Sequence, residues 1–392
     1  LMIGGARAEA ADGSSGDSAA GLPGGRSNAS DIRRYRGLRP GDRIAVVAPS
    51  GPADPARLEA GCAVLRDLGL DVVVGKHALD RVNLGAPGPL REDWHRLAGG
   101  DADRAADLEA AWCDPRVRAV VCARGGYGAT RVLDHLDWDA LAAATREAER
   151  TGSGPKILHG SSDITALHVA FGARLGITTS FGPMPAGRIA DLTAASHLAA
   201  APRPAAASRT ADASRTGGAA QAGDAGRVPD VDAADVETFE GLRGALFREE
   251  QGPLVGTRAL REGRAEGPLT GGTLALLVAL LGTPYAPPPA AGRVVLLEDV
   301  SEAPYRIDRM LVQLLQAGWF DGAAGVVLGS WERSGDPEEL DTVFAARLGP
   351  LGVPVLAGVP AGHGPRQRTL ELGAPARLDA GALTLRAPGG AR

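Results

Sequence analysis

The chain has 392 residues, 44% of them hydrophobic, which is enough to bury more than one core in a globular protein. Its formal net charge is −5, its 42 basic residues are scattered, and only two of them are lysines, Lys76 and Lys156. The absence of a basic face argues against nucleic acid or an anionic membrane surface as partner and toward small-molecule or peptide chemistry.

Residues 1–36 are rich in Ala, Gly, Ser and Asp and have almost no large apolar side chains, too few to offset the entropy of ordering, so a disordered tail is expected. No positively charged stretch followed by an apolar core occurs there, and the longest apolar run, Leu274 to Leu281, is too short to cross a bilayer. A cytoplasmic protein is expected. Cys62, Cys113 and Cys122 lack C-x-x-C spacing and lie in apolar contexts, the pattern of buried, reduced thiols.

Order is expected from residue 37, with a first strand over Arg43 to Ala48 stopped at Pro49. A helix over 55–68, a strand over 71–74, a helix over 100–112, a strand over 117–122, a helix over 129–134, a strand over 156–159 and a helix after Ser162 follow. This alternation predicts an α/β fold, with a Rossmann- or flavodoxin-like parallel sheet covered on both faces and ligands at the carboxyl ends of its strands. Three strand ends carry loops of unusual composition, at Ala48 to Gly51, Arg124 to Gly128 and Gly160 to Asp163. The first domain is placed at 37–188, and 189–237 reads as a linker with a low-complexity insertion. A smaller α/β domain is placed at 238–392. In it a turn at Gly271 and Gly272 leads into an apolar helix, and a strand over 293–297 ends at Glu298 and Asp299. A helix over 304–317, a strand over 324–328, a helix over 336–347, a strand over 353–356, a loop around His363 and a hairpin to 386 complete it.

Ser162 stands where a strand breaks and a helix starts, a position that exposes a hydroxyl beside free helical N–H groups. Ser and Asp are also ordinary helix caps. A serine nucleophile needs a base and a group that orients the base. Of seven histidines, His363 is the best base, because Gly362 and Gly364 leave its loop free to aim the ring; His159, at the end of the strand before Ser162, is a weaker competitor. Glu298 emerges from a buried strand as the orienter, with Asp299 and Glu302 as rivals. The loop Arg124 to Gly128 lacks the spacings of nucleotide-binding loops and suits donation of a backbone N–H to an oxyanion.

Taken together, Leu97 to Asp101, Arg104 to Leu108, Arg124 to Gly128, Gly160 to His168, Leu297 to Arg309 and Gly362 to Gly364 resemble, in order and approximate spacing, the motifs of the LD-carboxypeptidases. This S66 family of serine peptidases includes muramoyltetrapeptide carboxypeptidases and microcin C immunity peptidases. The resemblance covers nearly all of 37–386 outside the insertion. It implies a nucleophile at Ser162, a charge-relay glutamate at Glu298, a histidine at His363, and an oxyanion hole from the backbone N–H groups of Asp163 and Gly126, between two domains. It also implies a peptide substrate, no metal or cofactor, and a possible homodimer. Arg124, Gly125, Tyr127 and Arg131 are expected at the substrate, with Arg124 or Arg131 meeting the terminal carboxylate. Three departures bear on substrate preference: Ser161 where the family usually has an aromatic, Phe181 where histidine is common, and Thr273 in place of a frequent asparagine. The expected reaction is release of terminal D-alanine from murein tetrapeptides. Rival functions are cleavage of peptidyl-nucleotide antibiotics and silent ligand binding on the same scaffold.

Overall fold

The computed structural model describes residues 32–83, 95–200 and 231–386, which build two main β-sheets and a short two-stranded one. The first part of the chain contains β1 (Arg43–Val47), α1 (Pro55–Asp67), β2 (Asp71–Val74), β3 (Val82–Asn83), β4 (His95–Leu97) and α2 (Asp101–Cys113). It continues with β5 (Val117–Cys122), α3 (Ala129–Val132), α4 (Trp138–Arg150), β6 (Ile157–Gly160), α5 (Thr165–Leu175) and β7 (Thr179–Phe181). The Val- and Ala-rich interiors of β1 and β5 are buried, as strands inside a parallel sheet covered on both faces must be. The strands run in the order β2-β1-β5-β6-β7, all parallel. The chain therefore reverses its direction of travel across the sheet between β1 and β5, which opens a crevice at their carboxyl ends. Helix starts are set locally: Asp54 ahead of Pro55 accepts from the Arg57 N–H, and Asp137 accepts from Ala140.

The chain then forms α6 (Thr193–Ala200) and α7 (Ala233–Phe247), followed by β8 (Leu254–Val255), β9 (Arg258–Arg261), β10 (Arg264–Thr273), α8 (Leu274–Ala279), β11 (Val294–Val300) and α9 (Pro304–Gln316). It closes with β12 (Gly325–Glu332), α10 (Pro337–Leu348), β13 (Val355–Ala357), β14 (Leu370–Leu372), β15 (Pro375–Asp379) and β16 (Thr384–Arg386). The second sheet, β8-β16-β15-β10-β11-β12-β13-β9, is parallel from β10 to β13 and antiparallel at both flanks. Its one face is covered by α8, α9 and α10, and its other face packs Leu269, Leu296 and Leu378 with Phe181, Leu370 and Leu372 of the first sheet.

The expected boundaries shift in four places. The tail expected through residue 36 includes residues that belong to the fold: Arg33 bridges Ile177, Tyr35 is buried, and Arg34 pairs with Glu371. The expected linker is partly core, since Ile189, Leu192 and Ala195 pack with Leu58 and Cys62 of α1; residues 201–230 lie outside the described residues. Helix α7, placed by sequence in the second domain, buries Phe239, Leu242 and Leu246 in that same first core, and β14 adds antiparallel to β7. The expected turn at Gly271 and Gly272 is the end of a continuous strand, β10, bent by two positive φ angles of 109° and 136°. The linker and α7 were misplaced for one reason: apolar residues show that a segment buries a face, but not which sheet receives it. Of the thiols, Cys62 and Cys122 are buried as expected, whereas Cys113 is exposed at the end of α2.

Because α7 completes the first core, Leu242→Ala should cost about 2–5 kcal/mol of stability, read as a lower midpoint in urea denaturation. An unchanged midpoint would remove α7 from that core.

Candidate active site

The strand β6 ends at Gly160, whose carbonyl accepts from the Gly182 N–H at 3.0 Å and from His168 Nε2 at 2.9 Å. With the strand end held on both sides, the next two residues make the turn. Ser161 is extended and buried; Ser162 has φ of 61° and opens a short 3-10 turn, Ser162–Ile164, that runs into α5. The left-handed backbone costs an L-residue about 1–2 kcal/mol, and strain of this kind at a strand-to-helix turn is how such folds display a nucleophile. Of the two adjacent serines, Ser162 has the strained backbone and the solvent access.

Asp163 ties this turn to the other two strand ends. Its Oδ2 accepts from Ser50 Oγ at 2.5 Å and from the Ala129 N–H at 2.8 Å. Burial raises its pKa, and these two hydrogen bonds oppose the rise. The glycine loop lies against the turn: Gly51 N–H donates to the Gly125 carbonyl at 3.2 Å, and a Cβ on Gly125 would lie 2.8 Å from Ser162 Cβ and 3.0 Å from its Oγ. Only a residue without a side chain fits there. Gly126 has φ of 119°, again a glycine conformation.

The loop is braced by a residue that its composition did not single out. Arg104 is buried; its guanidinium donates to the carbonyls of Pro49, Gly128 (2.9 Å) and Gly99 (3.3 Å) and pairs with Asp101. Asp101 in turn takes Arg131 in a fork, Nε to Oδ1 at 3.0 Å and Nη2 to Oδ2 at 2.7 Å. Arg131, expected at the substrate, therefore has its charge committed to Asp101. Arg124 and Tyr127 are exposed on the same loop.

On the second sheet, Glu298 lies in β11 at an irregularity in the pairing with β12. The side chain is fully buried. Its Oε2 is 2.6 Å from His363 Nδ1, and its Oε1 accepts from Thr273 Oγ1. Gly362, with φ of 106°, permits this approach, since a Cβ there would lie 2.4 Å from Glu298 Oε2. The Thr273 N–H donates to Thr165 Oγ1 at 3.1 Å, on the first turn of α5. Thr165, Thr273, Glu298 and His363 thus form one hydrogen-bonded line from the Ser162 helix to the imidazole. Thr165 was missed by sequence, where a hydroxyl in a helix's first turn reads as a cap. For His363, burial lowers the pKa, but the hydrogen bond and charge of Glu298 outweigh it, and the net direction is upward.

The rival residues have other partners. Asp299 accepts from the Ala275 and Val300 N–H groups at 2.8 Å each, capping α8, and burial pushes its carboxyl up to about 6. Glu302 pairs with Arg306 at 2.6 Å. His159 is buried between Ser180 Oγ and the Pro183 carbonyl, and burial lowers its pKa to about 4. Of the family departures, Phe181 is packed in the core between the sheets, Ser161 is buried, and Thr273 is the hydrogen-bond partner of Glu298.

Family models described as the LD-carboxypeptidase N-terminal and C-terminal domains match residues 44–182 and 266–378. A Streptomyces coelicolor protein named "Putative carboxypeptidase" is 46% identical over 364 residues, covering 91% of this chain and 97% of that protein. The murein tetrapeptide carboxypeptidase of Pseudomonas aeruginosa is 29% identical over 345 residues, 87% of this chain and 94% of its own. The crystal structure of an MccF-like protein from Bacillus anthracis shares the fold with a TM-score of 0.67 at 20% identity, covering 91% of this chain and 99% of that one.

Two outcomes follow from the geometry. Gly125→Ala should leave the protein folded by circular dichroism but displace the Ser162 turn, which a crystal structure of the variant would reveal; an unmoved turn would refute the contact. NMR titration should place the His363 pKa above 6.5, and Glu298→Gln should lower it. A group raised in this way stabilises the fold fully below its unfolded pKa, and that contribution is lost as pH rises through the folded value.

Proposed function

The chain belongs to the LD-carboxypeptidase family and is a peptidase, and we propose that it uses Ser162, His363 and Glu298 to hydrolyse an L,D-peptide bond, releasing terminal D-alanine from murein tetrapeptides during cell-wall recycling in the cytoplasm. The observation that carries this is the buried Glu298 carboxylate, 2.6 Å from His363 Nδ1 and linked through Thr273 and Thr165 to the helix that follows Ser162. The Pseudomonas aeruginosa relative, named for murein tetrapeptide, supports the substrate class.

In the first step Ser162 Oγ attacks the carbonyl carbon of the scissile bond and passes its proton to His363 Nε2. Glu298, accepting from Nδ1–H, holds the tautomer that leaves Nε2 free as a base and stabilises the imidazolium that forms. The N–H groups of Asp163 and Gly126 meet the negative charge that develops on the carbonyl oxygen, and each such donor is typically worth about 10²–10³ in rate. Collapse of the tetrahedral species expels the D-alanine amine, which takes the proton from His363, and an ester to Ser162 remains. Water, deprotonated by His363, then attacks the ester and restores the serine.

Incubation with murein tetrapeptide and mass spectrometry should show loss of D-alanine with wild type and a fall of about 10⁴-fold or more in Ser162→Ala. Equal turnover by Ser162→Ala would exclude it as nucleophile, with Ser161→Ala as the comparison. Cleavage of a peptidyl-adenylate in place of the tetrapeptide would favour the second substrate class, and binding without turnover a silent scaffold. Because His363 acts as base only when neutral and its pKa is raised, kcat/KM should climb with pH through a value above 6.5. Glu298→Gln should move that limb down and lower kcat; an unmoved limb would separate Glu298 from the base.

A further inference from the structure

Two guanidinium groups beside the glycine loop have no part in the steps above. Arg124 Nη1 donates to the Pro52 carbonyl at 3.1 Å, and Arg81 Nη2 donates to the Ala53 carbonyl at 3.2 Å. Consecutive carbonyls of the loop after β1 thus hold both side chains. That loop is the one tied to the nucleophile's surroundings: Gly51 N–H donates to the Gly125 carbonyl, and Gly125 lies against Ser162. Arg124 Nη2 would lie 3.7 Å from a Cβ on Gly126, so its head group flanks the proposed oxyanion donor.

Both residues are exposed, and among the described residues neither has a carboxylate within ion-pair distance. Nearby cations are arranged differently. Arg104 and Arg131 share Asp101, and Arg57 pairs with Asp191. Partial burial of its head group, with the charge of Arg81 adding to it, holds the Arg124 pKa below its usual value. Two like charges with no counter-ion among the described residues repel each other, and an anion bound between them relieves that repulsion.

A peptidase that removes only the last residue has to distinguish a free terminal carboxylate from an internal peptide bond. Guanidinium groups suit this, because each offers parallel N–H donors that match the two carboxylate oxygens. We propose that Arg81 and Arg124 together form the subsite for the substrate's terminal carboxylate and restrict cleavage to the last residue of the peptide. This rests on the carboxypeptidase reaction given above, and adds Arg81, which precedes β3 and lies 43 residues before Arg124.

The test compares peptides ending in D-alanine with the same peptides ending in D-alaninamide. Wild type should prefer the acid in kcat/KM, and Arg81→Ala and Arg124→Ala should each cut the acid-to-amide ratio by about 10- to 100-fold, mainly through KM. Lysine at either position should recover part of the preference, which a purely structural role would not predict. Binding of N-acetyl-D-alanine and N-acetyl-D-alaninamide to the Ser162→Ala protein, measured by calorimetry, gives an answer independent of turnover. If the acid binds more tightly and the Arg81→Ala,Ser162→Ala protein loses that difference, the subsite holds even where tetrapeptide hydrolysis fails. If acid and amide bind alike, or the preference survives loss of both arginines, the subsite is wrong while the peptidase reaction can still stand.

Discussion

The buried carboxylate of Glu298 is the constraint on which the rest of the site depends. A charge with no solvent contact persists only where hydrogen bonds replace water, and here both oxygens are used: one on the imidazole of His363, one on the hydroxyl of Thr273. The second bond matters as much as the first, since the backbone N–H of Thr273 is held by Thr165 on the helix that starts at the Ser162 turn. Thr273 therefore serves Glu298 through its hydroxyl and joins the two parts of the fold through its backbone N–H. Shifting one sheet relative to the other would part the buried Thr273 N–H from the Thr165 hydroxyl, so the position of the imidazole relative to the serine turn is defended by the cost of desolvation.

The same economy of space explains the glycines. Gly125 abuts the side chain of Ser162, Gly272 abuts Thr165, and Gly362 abuts Glu298. Each removes a Cβ at a point where two elements from different parts of the chain must come within hydrogen-bonding distance. Strain at Ser162 fits this arrangement: its left-handed backbone is held by Gly160, clamped by Gly182 and His168, on one side and by the start of α5 on the other. A turn with looser anchors would relax into an ordinary helix cap.

Charge is distributed in a way that separates scaffold from surface. Arg104, Asp101 and Arg131 form a shared, partly buried network that fixes the ends of β1 and the glycine loop. Among the described residues, Arg81 and Arg124 are held by backbone carbonyls, which position a guanidinium without neutralising it. Neutral acceptors, not counter-charges, thus hold these two guanidinium groups at the glycine loop, and an anionic ligand would find its attraction intact there.

The βα alternation, the continuous apolar strands and the loops at their carboxyl ends were legible in the residues, because period and turn chemistry are local properties. So were Ser162, Glu298 and His363 as candidates, each at the end of a strand or in a glycine-bracketed loop. What the chain order could not reveal was which sheet each amphipathic segment would join: α7 and β14 come late and complete the first unit. Nor could it separate Glu298 from Asp299, adjacent carboxylates of similar chemistry, until the fold set one against the imidazole and the other at the start of α8. Arg131 and Arg124 look alike in sequence, and only the position of Asp101, far from both along the chain, committed the first and left the second open. Residue types and local periodicity determined the elements and the chemistry available to them. The pairing of groups distant in sequence, which decides burial and hydrogen-bond partners, was settled by tertiary packing alone.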